Sequence, residues 1–209
     1  MPIFRMQRIT GQEEGGRPKG YLGSYRFFRD EAPFCQCHIS RWCSKPTEFV
    51  PLNDLEAVKF ILRQKRRLMN FTWVVEDGQG VLHGSLERRL LGKTEWRIRD
   101  ANSKEVGRFR ARYNPRFWLF RLGDAFFGHR PDGYEIIEHG NLVARMEREK
   151  RLEENPGKEQ KGFRGLVDRV LKSKDWVIRE RADAECLIDY RLLLSGAVLL
   201  ENISRDPSE

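Results

Sequence analysis

Hydrophobic and polar positions alternate with a period of two along much of this chain, and turn-forming residues interrupt the alternation. Four segments share one form. Trp73-Val-Val-Glu-Asp77, Trp96-Arg-Ile-Arg-Asp100, Tyr134-Glu-Ile-Ile-Glu138 and Trp176-Val-Ile-Arg-Glu180 each open on an aromatic residue, with a β-branched residue two positions on and an acid four positions on. Turn formers follow: Gly78 and Gly80, Asn102 and Ser103, Gly140 and Asn141, Ala182 and Asp183. A second apolar segment comes after each turn. This recurrence predicts hairpins joined in a meander. The units are unequally spaced, which favours a barrel over a propeller or solenoid with fixed-length repeats.

One hairpin fixes its own register. Trp96 and Ile98 point to one face while Arg97 and Arg99 point to the other. In the return strand Phe109 and Ala111 alternate with Arg108, Arg110 and Arg112. A turn centred on Asn102 and Ser103 sets Trp96 opposite Phe109, Ile98 opposite Gly107 and Arg97 opposite Arg108. A slip of one residue would drive arginines into the core. Two arginines directly opposite repel, which is relieved by solvent or by an anion.

Elsewhere the pattern predicts a first strand around Tyr25, Phe27 and Phe28 and a second from Pro33 to Cys43. Pro115–Arg121 is a further apolar strand, and Phe126–Gly128 begins another. In the hairpin around His139–Asn141, Ile137, Leu142, Ala144 and Met146 are expected on the core face. Gly11–Gly20 and Glu147–Gly162 read as loops. Phe163–Leu171 reads as a short helix. Between Asn53 and Arg67 the spacing of Leu55, Val58, Ile61 and Leu62 predicts a helix capped by Asn53 or Asp54. It carries Lys59 and Arg63 and is followed by Lys65, Arg66 and Arg67. From Ala184 to Leu200 almost every residue is apolar, so a helix there is buried on most sides. A barrel that wraps it is the simplest burial. The other reading is two terminal strands, Glu185–Arg191 and Ala197–Ile203, with a turn at Ser195-Gly196. Because the hairpin pattern resumes at Trp176, residues 1–209 read as one domain.

Three stretches carry a family resemblance: Trp96-Arg-Ile-Arg-Asp-Ala-Asn-Ser-Lys-Glu-Val-Gly-Arg-Phe109, Tyr134-Glu-Ile-Ile-Glu-His-Gly-Asn-Leu-Val-Ala144 and the apolar Leu192-Leu-Leu-Ser-Gly-Ala-Val-Leu-Leu200. Over roughly Phe71 to Ile203 the chain resembles the tubby-like barrel superfamily, which includes tubby C-terminal domains, phospholipid scramblases and LURP-one-related proteins. The resemblance implies a mostly β fold, a closed antiparallel barrel of about twelve strands around a buried hydrophobic C-terminal helix. It also implies association with lipid: tubby domains bind phosphoinositides, and scramblases are lipid-associated and calcium-dependent. Asp183, Glu185 and Asp189 do not reproduce the scramblase calcium-associated segment, and none of the tubby phosphoinositide-binding residues carries over.

Composition narrows the function classes. The chain has 209 residues with 39 Lys and Arg against 31 Asp and Glu, a formal charge of +8. That excess suits phosphate-rich partners without selecting among them, and it also suits mere solubility. Between Ser85 and Arg121 eleven basic residues face four acids. Arg97, Arg99, Arg108, Arg110 and Arg112, with Lys59, Arg63, Lys65, Arg66 and Arg67, are therefore the candidate anionic-ligand site. The partners expected are anionic phospholipid or an acidic protein surface. Nucleic acid is disfavoured, because Trp96 and Phe109 face the core where a single-strand binder exposes its aromatics. Cys35, Cys37, His38 and Cys43 form the one metal-like cluster, but Cys-x-Cys is too tight for the common zinc knuckle, and buried inert cysteines are the expected outcome. His83, His129 and His139 sit in or beside turns with no nucleophile elbow, paired acids or phosphate loop near them, so no catalytic residue and no cofactor are expected. Met1–Gln12 lacks the apolar stretch of a secretory signal. The uncharged run Leu192–Leu200 is nine residues, where a spanning helix needs about 20. The expected location is cytoplasmic, with peripheral membrane attachment and no transmembrane segment.

Overall fold

The four aromatic-led segments are four of the six strands that run in one direction around a closed barrel. The structure, a computed structural model, describes residues 2–9, 21–40, 45–52, 59–66, 70–89, 95–113, 131–148 and 175–203. Among them are twelve strands: β1 (Pro2–Ile9), β2 (Tyr21–Arg29), β3 (Ala32–Ser40), β4 (Thr47–Pro51), β5 (Phe60–Arg66), β6 (Asn70–Asp77), β7 (Leu82–Arg89), β8 (Glu95–Asp100), β9 (Glu105–Arg112), β10 (Gly133–Glu138), β11 (Asn141–Arg148) and β12 (Trp176–Glu180). One helix follows, α1 (Tyr190–Ile203). Each strand pairs antiparallel with its sequence neighbours, and β1 also pairs with β12, so the meander closes with no free edge.

Register explains the recurring motif. Trp73, Trp96, Tyr134 and Trp176 begin the inward-facing rows of β6, β8, β10 and β12, and Val75, Ile98, Ile136 and Ile178 continue them as buried core. Three of the four closing acids serve the end where the tight turns lie. Asp77 Oδ1 accepts the N–H groups of Gln79 and Val81 at 2.8 and 2.9 Å. Asp100 Oδ1 accepts those of Asn102 and Lys104, both at 2.9 Å. Glu138 Oε2 accepts the Leu187 N–H at 3.1 Å, on the segment leading into α1. Short acids closing a turn in this way replace backbone partners that the strands no longer supply.

α1 fills the lumen. Leu192 through Leu200 are buried without exception, which is why the segment is apolar nearly all round. Asp189 caps it: its carboxylate accepts the Arg191 N–H at 2.9 Å and its carbonyl accepts those of Leu192 and Leu193. Gly196 meets the ring of Phe109 on β9, and Gly84, at φ +152°, lets β7 pass close to Leu192. At the other end of α1, Glu201 is buried and accepts the Trp176 Nε1–H at 2.6 Å, with the Arg148 guanidinium 3.5 Å away and stacked over the Trp176 ring.

The expected barrel and the register of the β8–β9 hairpin hold, with Trp96 opposite Phe109, Arg97 opposite Arg108 and Ile98 opposite Gly107. Five expectations are corrected. The basic helix is not there over 60–66: those residues form β5, in which Phe60 and Leu62 turn inward while Arg63 and Lys65 turn out. The first strand is β1 rather than the segment around Tyr25, which belongs to β2. In the β10–β11 hairpin Ile136 opposes Ala144 and Ile137 opposes Leu142, so Val143 is an extra residue and the parity switches. Ile136, with Tyr134, Ala144 and Met146, faces the central cluster, whereas Ile137 is buried outside it. The two terminal strands do not form, and α1 begins only at Tyr190. Glu147 and Arg148 belong to β11 rather than a loop. The segments Gly11–Gly20, Pro115–Arg121, Phe126–Gly128 and Phe163–Leu171 lie outside the described residues, as do residues 149–162.

Candidate functional site

The five candidate arginines of the β8–β9 hairpin lie on its outer face, and each has a carboxylate. Arg97 and Arg108 oppose one another, but Glu105 stands between them, 3.6 Å from Arg97 Nε and 3.3 Å from Arg108 Nη2. Glu95 lies 3.8 Å from the other side of Arg108. Arg110 pairs with Glu135 at 2.6 Å and Arg112 with Glu147 at 2.8 Å. Arg99 donates to Glu87 at 2.9 Å and to the Ser103 carbonyl at 2.7 Å. The face is a ladder of alternating charge rather than a bare cationic patch. The repulsion inferred from Arg97 and Arg108 is relieved within the hairpin itself, because Glu95 of β8 and Glu105 of β9 stand beside them. Exposed pairs of this kind contribute about 0–1 kcal/mol each.

The basic residues of β5 behave differently. Lys59, just before the strand, pairs with Glu48 at 2.8 Å. Arg63 and Lys65 are exposed and have no carboxylate partner among the described residues. Arg66 ends β5 opposite Phe71, and Arg67 lies outside the described residues.

Pairing across β5 to β8 brings Lys65 and Arg99 to one place. Lys65 sits opposite Thr72, and Thr72 opposite Glu87; one row over, Val74 is opposite Ser85 and Ser85 opposite Arg99. These residues, with Leu82, Asp100 and Ser103, line a cavity of about 310 Å³ on the outer sheet. Its size suits a small polar ligand. Glu87 is engaged by Arg99, and Asp100 by the β8–β9 turn. The Lys65 ammonium and the Thr72 hydroxyl stay available. Thr72 is only 5% exposed, yet its hydroxyl has no hydrogen-bond partner. A buried polar group in that state is costly unless something completes it. The site thus sets two cations, Lys65 and Arg99, and two carboxylates, Glu87 and Asp100, around the Thr72, Ser85 and Ser103 hydroxyls.

The cysteine cluster is divided between the two faces of β3. Cys35 and Cys37 point into the core, where burial pushes the Cys35 thiol up to about 12 and Cys37 well above its ordinary value. His38 points outward, its Nδ1 2.7 Å from the Ser24 hydroxyl. Cys43 lies outside the described residues, and among those described no group of three or more His, Cys, Asp or Glu is placed to hold a metal. His83 lies beside the β6–β7 turn, at the start of β7, where its Nε2 accepts from Arg191 at 2.8 Å near Asp77 and Asp189. That cluster ties the start of α1 to the β6–β7 hairpin. His139 occupies its turn at φ 48°, and His129 lies outside the described residues.

Of the groove residues, Thr72, Ser85, Glu87, Asp100 and Ser103 carried no sequence signal of a site. The outward parity of β6 and β7 was the one clue, and it identifies a surface rather than a cavity. Comparison of the chain with protein-family models, with curated proteins and with solved structures found no match.

Proposed function

We propose that this chain is a non-enzymatic binding barrel that docks on anionic phospholipid at a membrane surface and takes the headgroup phosphate in the β5–β8 groove. The observation that carries this reading is the convergence of Lys65 and Arg99 on a cavity whose wall holds the partnerless Thr72 hydroxyl. A phosphate accepts charge-assisted hydrogen bonds from Lys65 and Arg99 and an ordinary one from Thr72. The remaining lone pairs of Glu87 and Asp100 accept from ligand hydroxyls, so a hydroxylated headgroup such as a phosphoinositide fits better than bare phosphate. The resemblance to the tubby-like superfamily supports the same class of ligand, though fold alone does not assign function.

Docking, not spanning, is the mode. The outer face carries the arginine–glutamate ladder and the lumen is filled by apolar α1, the reverse of the apolar-out, polar-in order of a membrane-spanning barrel. Among the described residues no helix is long and apolar enough to cross a membrane.

The test titrates the chain with an inositol trisphosphate, which keeps free hydroxyls, and measures cosedimentation with phosphatidylcholine vesicles, with and without phosphatidylinositol phosphate, over a range of salt. Binding is expected only to the anionic probes and weakens as salt screens it. Lys65→Glu weakens it at least about tenfold, as the loss of one charge-assisted bond requires. Equal binding to neutral vesicles, or indifference to Lys65→Glu, refutes the reading. Preference for polyglutamate would make the chain a protein scaffold, and tighter, length-dependent binding to nucleic acid would make it a nucleic-acid module.

A further inference from the structure

We propose that Ser103 is a phosphorylation site that switches the groove off, because a phosphate on its hydroxyl takes the Arg99 guanidinium that a headgroup phosphate needs. The proposal rests on the groove reading above and adds its regulation.

Two hairpins of the barrel share one turn built from different residues. In the β6–β7 turn the Asp77 N–H bonds the Val81 carbonyl at 3.0 Å and the Gly80 N–H bonds the Asp77 carbonyl at 3.1 Å, while Asp77 Oδ1 accepts from Gln79 and Val81. The β8–β9 turn repeats every bond. Asp100 N–H bonds the Lys104 carbonyl and Ser103 N–H the Asp100 carbonyl, both at 3.0 Å, and Asp100 Oδ1 accepts from Asn102 and Lys104. The fourth residue of each turn has a positive φ, 85° at Gly80 and 64° at Ser103. Glycine adopts that conformation freely, whereas a residue with a Cβ is strained in it. The β6–β7 turn has no side chain there and nothing within 4 Å for one to touch. The β8–β9 turn carries a side chain at the matching position, and it lines the groove with Arg99 and Asp100. Strain accepted at one of two matched turns points to a role for that side chain outside the fold.

Residues 101–104 are all exposed, so the Ser103 hydroxyl is open to an enzyme. A protein kinase joins Ser103 Oγ to the γ-phosphorus of a nucleoside triphosphate as the bond from that phosphorus to the β–γ bridging oxygen breaks. The nucleoside diphosphate leaves, and the hydroxyl proton passes to the base of the kinase. The product carries about −1.5 to −2 charge at neutral pH and three strong acceptor oxygens. Arg99 is already beside it: Nη1 donates to the Ser103 carbonyl at 2.7 Å while Nε donates to Glu87 at 2.9 Å. Guanidinium–phosphate bonds are charge-assisted and stronger than the bond to a carbonyl, so Arg99 turns to the phosphoserine. An incoming headgroup then loses one of its two cations and meets new negative charge on the groove wall. Both effects oppose binding.

The experiment has two arms, both on the full chain. In the first, the chain is incubated with magnesium, ATP and a panel of purified serine/threonine kinases, and its peptides are read by mass spectrometry. Phosphate is expected on Ser103; its absence with every kinase overturns the proposal and leaves Ser103 a groove residue only. In the second, phosphoserine is installed at position 103 during translation. This chain should bind an inositol trisphosphate at least about tenfold more weakly than the unmodified chain, as the loss of one charge-assisted bond requires. Its phosphorus resonance should titrate below the ordinary second phosphate pKa of about 6, because a guanidinium favours the dianion, and should return toward that value in Arg99→Ala. That signal needs no added ligand. Equal affinity of the two chains overturns the switch while the groove reading stands. A phosphate that titrates at its ordinary value overturns the contact with Arg99, and the proposal with it. Failure of the unmodified chain to bind the inositol trisphosphate overturns the groove reading, and the switch falls with it even where the phosphorus titration shows the contact.

Discussion

Replacing Gly196 with alanine sets two known effects against each other, and the structure decides which prevails. In an exposed helix interior the change stabilises by about 1 kcal/mol, because glycine is the costlier helix residue. Here the new Cβ would lie 2.4 Å from both Cε2 and Cζ of Phe109, where ordinary contact begins at 3.4 Å. The Phe109 ring cannot easily retreat: it is fully buried, with Trp96 and Ile136 opposite it on the two flanking strands. Overpacking of this kind costs about 1–3 kcal/mol. The helix-propensity gain offsets part of it, leaving a net destabilisation of about 1 kcal/mol. Urea unfolding at equilibrium, followed by tryptophan fluorescence and circular dichroism, measures it. A companion Phe109→Leu change makes room, so the double variant should be more stable than the sum of the single changes predicts. If Gly196→Ala alone raises stability by about 1 kcal/mol, α1 is not seated against β9 and the account of the core is wrong.

Three further outcomes follow from particular contacts. Burial favours a neutral Asp189, but hydrogen bonds from the Arg191 side chain and backbone outweigh it and hold the carboxyl below the ordinary carboxylate range. Its folded-state pKa is thus below the unfolded value of about 3.9, so its contribution is complete above that pH and fades as pH falls through the folded value. Asp189→Asn, which keeps the cap, should cost about 1 kcal/mol at neutral pH and much less in acid, read by urea unfolding at both. Trp176→Phe leaves buried Glu201 without its 2.6 Å donor and should cost about 1–3 kcal/mol in the same assay; a neutral result would show that its other partners, Arg148 among them, satisfy the carboxylate. With its thiol pushed up to about 12 in the core, Cys35 should resist iodoacetamide in the folded chain at neutral pH and react in urea, as mass spectrometry of the labelled peptide would show.

What the sequence made legible was governed by parity. Trp96, Ile98 and Phe109 alternate cleanly with arginines, and the β8–β9 register followed from that alone. One residue removed the same logic from β10–β11: Val143 is apolar like its neighbours, so nothing in the pattern marks it as the extra one. In β5 a short run could satisfy two periods. Val58, Ile61 and Leu62 fit a helix as well as Phe60 and Leu62 fit a strand, and pairing with β4 and β6 decided it. β1 alternates Phe4 and Met6 with Arg5 and Gln7, a pattern easily passed over when those residues are examined only as a possible leader. The candidate site was half legible. Lys65 and Arg99 were among the basic residues singled out, but their meeting depends on two intervening strands. Glu95 and Glu105, which neutralise Arg97 and Arg108, lie in the same hairpin, but the partners of Arg99, Arg110 and Arg112 come from β7, β10 and β11, so counting charge along one hairpin could not reveal the whole ladder.

The central claim is that the β5–β8 groove holds a phosphorylated, hydroxyl-bearing anion. Backbone amide chemical shifts of the labelled chain, recorded while an inositol trisphosphate, which keeps free hydroxyls, is added, locate the ligand directly. The account predicts saturating shifts concentrated at Lys65, Thr72, Ser85, Arg99 and Ser103, with Arg110 and Arg112 unmoved. Shifts centred on the Arg110–Arg112 end of the ladder, or none at all, would contradict it.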